Sequence, residues 1–232
     1  MTSPRPRYGI PLAQPRALPA VLALNVGVFV LWQLALAWGP EAQAFMAANF
    51  LTSVEHLRAG FVWTLLTSEI SHVNLAHLGF NLFAIWMFGR ELEQLLGWRA
   101  FLHLYVAGAI VASLGHVLYG AVTGVAAPAL GASGAAMAIL MVSALLFPNR
   151  RLLLFFVIPV PALAAVGLFA LIDVIGLVNP GDRIAHAAHL GGALYGLVYY
   201  RYRLGDYLRA RLGRVGVVQM TDGGRGSSGA WM

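Results

Sequence analysis

The sequence contains no cysteine and no lysine, and only 10% of its 232 residues are charged. The missing cysteine excludes disulfides and thiol chemistry. The missing lysine leaves arginine alone behind a formal net charge of +6. The shortage of charge is the most informative of these. A soluble domain carries roughly 25% charged residues. A chain that is 59% hydrophobic, with mean hydropathy +0.75, cannot cover a water-facing surface with so few. The composition points to an all-α protein that crosses a membrane several times. No polar stretch is long enough to make a second folded domain.

What is present is a series of apolar runs. A crossing needs about 20 mostly apolar residues, and six candidates appear, at roughly 19–38, 74–96, 101–123, 133–147, 152–177 and 184–202. Residues 1–18, rich in Pro and Arg, are expected to form a disordered cytoplasmic arm without a cleavable signal peptide. The six-span domain then covers 19–203, and the Gly- and Ser-rich stretch 204–232 is expected to be a flexible cytoplasmic tail. The fourth run is short. Pro148 and Asn149-Arg150-Arg151 close one end, and "LGASGAAMAI" opens the other. A short helix entered through glycines implies a re-entrant loop, which a membrane tolerates only where protein or a water-filled cavity surrounds it.

The arginines set the orientation. With the N-terminus in the cytoplasm, only Arg58 and Arg183 fall outside, and the other arginines fall inside. This is the positive-inside pattern, so the basic charge reads as an orientation signal and no nucleic-acid partner is implied. The predicted location is the cell (inner) membrane, with both termini cytoplasmic. The longest external loop, about 39–73, holds two amphipathic pieces, "EAQAFMAANF" and "SVEHLRAGFVWTLL", that read as short interfacial helices, with Trp63 as a headgroup-level anchor.

Polar groups at membrane depth are costly and mark functional candidates. His77 and Asn81 are four apart and share a helix face. Ser133 stands where the fourth run begins, and His189 lies in the outer part of the sixth. The chosen orientation puts all four near the outer side. A serine needs a base to take its proton, and a neutral histidine can supply one. Attack on an amide also needs donors aimed at the developing oxyanion. Candidates are His77, Asn81 and the Ser133 N–H, which lies at a helix start and lacks an intrahelical acceptor. Gly131 and Gly134 permit unusual backbone and close approach. Gly192 and Gly196 form a GxxxG on the His189 helix, which lets a partner helix such as Gly134–Ala138 come near. Each feature alone also fits ordinary packing. His186 and His189 with His72 and His77 also admit a metal site, the only carboxylates nearby being Glu69, Asp173 and Asp182, near span ends; the preferred reading has no metal and no cofactor.

Taken together, these motifs resemble the rhomboid intramembrane serine proteases over residues 60 to 202. "HLGFN", His77 to Asn81, resembles the family's HxxxN. "GASG" resembles its GxSG, "AHLGGALYG" its AHxxGxxxG, and "GRELEQLLG" its GxxxExxxG. The resemblance implies a rhomboid-like six-helix bundle of the basic bacterial form. It implies Ser133 as nucleophile and His189 as general base, a pair acting without an aspartate. His77, Asn81 and the Ser133 N–H would form the oxyanion hole, and Glu93 would be structural. Substrates would be transmembrane segments of other membrane proteins in the lipid bilayer, with the fifth span and its external loop as gate. Met137 stands where many members have an aromatic residue, and Trp63-Thr64 replaces the family's Trp-Arg. The acyl-enzyme would be hydrolysed by water held near Ser71, His72 and Asn74. Two rivals remain: a catalytically silent relative that binds client transmembrane helices, and a metal-dependent membrane protein or transporter.

Overall fold

A computed structural model describes residues 14–124, 127–154, 157–179 and 185–204. The arm up to residue 13, the tail from 205, Arg183 and the predicted start of the sixth span at 184 lie outside the described residues. The chain divides into two units, Met1–Leu197 and Val198–Met232.

Glycine and proline punctuate the first unit. Helix α1, Ala17–Trp38, starts two residues before the predicted 19 and ends at Gly39, whose φ of 111° suits only glycine. Pro40 then opens α2, Pro40–Phe50, at a position where its missing N–H costs nothing. The predicted external loop continues as α3, Val54–Arg58, capped by the Ser53 hydroxyl, then α4, Thr64–Thr67, and a 3-10 turn, Ser68–Ile70. Asn74 caps α5, Leu75–Leu96, accepting from the N–H groups of Ala76 and His77. Gly97, φ 87°, turns the chain directly into α6, Trp98–Thr123.

Helix α7, Ser133–Leu146, is the centre of the bundle. It carries no charge, and its residues from Gly134 to Leu140 are all buried. A helix apolar all round belongs inside a core. Its approach is held by the segment between α2 and α5. Thr52 and Ala129 exchange backbone hydrogen bonds of 2.9 and 2.8 Å, and the Gly131 N–H donates to the Ser68 carbonyl at 2.9 Å.

The fifth predicted run, 152–177, is only partly helical. Arg151–Leu154 and Ile158–Pro161 pair as an antiparallel hairpin, β1 and β2, and helix α8 covers only Ala162–Leu177. Pro159 and Pro161 explain the correction. Each lacks an N–H and biases the residue before it toward extended backbone. At the foot of the hairpin, Arg150 forms a bidentate ion pair with Glu91 of α5. Helix α9 spans His186–Tyr199. The second unit begins at Val198, and its described part ends in a π-helical turn, Tyr200–Leu204.

Large apolar side chains face outward along the first unit, among them Leu24, Leu31, Leu118, Val122, Leu171 and Ile175. Large apolar side chains exposed in this way, on a chain with so few charges, are what a lipid-facing surface requires. Among the described helices, α1 and α6, 22 and 26 residues long, are long and apolar enough to cross a bilayer on their own; α7 and α8 are shorter apolar helices.

Candidate active site

Three helices bring the candidate residues together. Ser133 is the first residue of α7, and His189 lies one turn into α9. The Ser133 Oγ and His189 Nε2 are 2.8 Å apart, across 56 residues of sequence. Glycines allow this approach. A Cβ on Gly192 would lie 2.0 Å from the Gly134 carbonyl oxygen, and one on Gly196 would lie 2.5 Å from that of Ala138. The backbones of α7 and α9 therefore meet where only hydrogen fits. A Cβ on Gly134 would in turn meet the Ala112 Cβ of α6 at 2.3 Å.

The third helix contributes a residue outside the predicted site. Asp173 of α8, nearly fully buried, accepts from His189 Nδ1 at 2.9 Å and from His186 Nδ1 at 2.7 Å, both on Oδ1. The resemblance implies a pair without an aspartate; here a carboxylate stands behind the histidine. Its signal in the sequence is an acid inside the apolar run "LFALIDVIGL", a placement that calls for a partner. A carboxylate can only accept, so Nδ1 must carry the proton. The lone pair of Nε2 then faces Ser133. Asp173, His186 and His189 are also the one group among the described residues with metal-ligating atoms all within 4.8 Å of one another. At 2.7 and 2.9 Å the contacts have the length of hydrogen bonds.

On the other side of Ser133, the His77 ring packs against Gly131. A Cβ there would fall 2.5 Å from His77 Cε1, and Gly131 also holds φ at 122°, so glycine is required twice over. Asn81 is buried and its amide donates to His72 Nε2 at 2.9 Å. The Ala132 N–H donates to the same nitrogen at 3.3 Å. Burial, with a smaller contribution from His77, lowers the His72 pKa to about 4. His72 is therefore neutral at ordinary pH and serves as an acceptor for both donors. The Asn81 amide, a predicted oxyanion donor, is thus engaged with His72 in this state.

Two residues expected to hold water have other duties. The Ser71 hydroxyl accepts from Trp32 Nε1 at 2.6 Å, and Asn74 caps α5. A cavity of about 10 Å³, room for one water molecule, lies instead beside Ser133, lined by Ser68, Glu69, Ser113 and His116. Glu69, in the sequence only an acid near a span end, is buried behind the start of α7. There it accepts from the Ala135 N–H at 3.3 Å and the Ser113 hydroxyl at 3.1 Å. Met137 is buried one turn beyond Ser133. Glu93 stands apart from this cluster. Its carboxylate accepts the N–H groups of Arg16, Ala17 and Leu18 at 2.6, 2.7 and 2.8 Å.

Residues 59–205 match the model of the Rhomboid domain family. The chain is 36% identical over 187 residues to Rhomboid protein 1, mitochondrial, of Saccharomyces cerevisiae, covering 79% of this chain and 52% of that protein. It is 32% identical over 199 residues to RHOMBOID-like protein 12, mitochondrial, of Arabidopsis thaliana, covering 79% and 57%. It is 31% identical over 189 residues to Presenilin-associated rhomboid-like protein, mitochondrial, of Homo sapiens, covering 81% and 48%. The chain spans about half the length of these curated relatives.

Proposed function

The chain belongs to the rhomboid family, a family of polytopic membrane bundles, and from that premise we propose that it is an intramembrane serine endopeptidase acting through Ser133 and His189. The observation that carries the reading is the 2.8 Å contact between Ser133 Oγ and His189 Nε2. In the proposed reaction Ser133 Oγ bonds to the scissile carbonyl carbon while its proton passes to Nε2. The carbonyl electron pair moves onto oxygen, where the N–H of Ser133, at the positive end of α7, stabilises it. His77 would assist, and Asn81 would do so on release from His72. Collapse breaks the C–N bond, and Nε2 returns its proton to the leaving amine. Water from the cavity beside Ser133 then hydrolyses the acyl-enzyme.

The substrates proposed are transmembrane segments of other membrane proteins. An amide in an intact helix is shielded by its own hydrogen bonds, so helix-breaking residues near the cut should favour cleavage. The bundle is proposed to span six times, with a re-entrant loop entering α7 and both termini on the arginine-rich side. The arginine pattern supports a cell membrane with that side cytoplasmic. The relatives' mitochondrial names favour a second setting, an inner mitochondrial membrane with the same orientation.

A catalytically silent relative would keep the fold and bind client helices without cutting them. Labelling separates the two. In detergent, a serine-directed phosphonate should form a covalent adduct on Ser133, mapped by mass spectrometry, and His189→Ala should slow labelling by about 10²-fold or more. A protein that takes no label, or takes it equally with His189→Ala, would instead be the silent form.

A further inference from the structure

Resting on the protease reading, we infer that Asp173 is a positioning residue of the same site, so that the chain works as a Ser133–His189–Asp173 triad. Three observations carry this. First, Asp173 is on the side of the imidazole away from the serine. Its Oδ1 accepts from Nδ1 at 2.9 Å while Nε2 lies 2.8 Å from Ser133 Oγ. That arrangement fixes both the tautomer and the ring plane that proton transfer from serine requires.

Second, the carboxylate is itself held. The same Oδ1 accepts from His186 Nδ1 at 2.7 Å, and both side chains are almost wholly buried. His186 can lie this close to α8 because position 176, one turn beyond Asp173, is glycine. A Cβ there would sit 2.1 Å from His186 Nε2. His186 thus orients the carboxylate, and the carboxylate orients His189.

Third, the alternative role is weaker. If Asp173 only tied α8 to α9, the His186 bond would suffice, being the shorter and the more deeply buried of the two. A second bond to the histidine that faces the serine is what a positioning role adds. During attack Nδ1 keeps its proton on the ring, Nε2 gains the serine proton, and the carboxylate stabilises the imidazolium without taking a proton.

The test uses the full chain in detergent with a transmembrane substrate. In Asp173→Asn the new amide can donate to Nδ1, which favours the tautomer whose Nε2 is already protonated. We expect kcat to fall about 10²- to 10⁴-fold with KM within a few-fold, and phosphonate labelling of Ser133 to slow in parallel. His186→Gln keeps the Asp173–His189 bond and should cost less than about 10-fold. Thermal melting checks that each variant is folded; should Asp173→Asn not fold, Asp173→Glu is measured for the same split and should retain more activity than His189→Ala. Full kcat in Asp173→Asn, equal losses in Asp173→Asn and His186→Gln, or loss of wild-type activity on adding a chelator would each overturn the triad. The protease reading fails separately, through a fully active Ser133→Ala.

Discussion

Two helices in this molecule begin against a buried glutamate supplied by another element, and the two starts are built differently. At the start of α1, Glu93 takes three consecutive N–H groups, those of Arg16, Ala17 and Leu18. At the start of α7, Glu69 bonds the third residue of the helix, Ala135, and spends its other oxygen on Ser113. The first residue of α7 is Ser133 itself. The contrast separates anchorage from the proposed chemistry. A helix start used as an anchor has its donors consumed by one carboxylate. The start of α7 is steadied further along, at its third residue, which suits the oxyanion role proposed for the Ser133 N–H.

Each start can be disrupted on its own. The largest effect on stability is expected at the anchor. Glu93→Ala strands three backbone N–H groups, a loss of about 2–4 kcal/mol. Thermal melting in detergent should show a clear drop in Tm, and an unchanged Tm would deny Glu93 its anchoring role. At the start of α7 the effect depends on pH. Burial pushes the Glu69 carboxyl from 4.5 up to about 8, against the opposing pull of the Ala135 N–H and the Ser113 hydroxyl. The folded chain therefore holds a proton that the unfolded chain has released. Stability from this group is full below about pH 4.5 and declines as pH rises toward 8. In Glu69→Gln the decline between pH 5 and 8 should flatten. Ser113→Ala, which removes one bond to the carboxyl, should cost about 1 kcal/mol. A Tm profile that keeps its slope in Glu69→Gln would place the titration elsewhere.

The two regions were also unequally legible. The serine and histidine could be read as a pair because the predicted spans and orientation put both at one depth among apolar residues, where a polar side chain rarely sits without a partner or a task. Glu93 could be picked out by its motif as a structural tie to backbone or side chains, but its partners could not, because they lie 75 to 77 residues away at the start of α1. Asp173 read only as an acid near a span end, although it stands inside the apolar run "LFALIDVIGL". Which histidine it meets depends on the rotation of α8 against α9, which spacing within one helix does not give. The hairpin before α8 failed for another reason. Pro159 and Pro161 announced a break, but continuous apolarity from 152 onward masked it. Hydropathy reports what a segment avoids and not the backbone it adopts.

The decisive measurement is cleavage of a transmembrane substrate by the purified chain in proteoliposomes, comparing wild type with Ser133→Ala. Wild type should give cut products and Ser133→Ala none above background, the variant remaining folded by thermal melting. Equal cleavage by a folded Ser133→Ala would contradict a serine protease built on this residue.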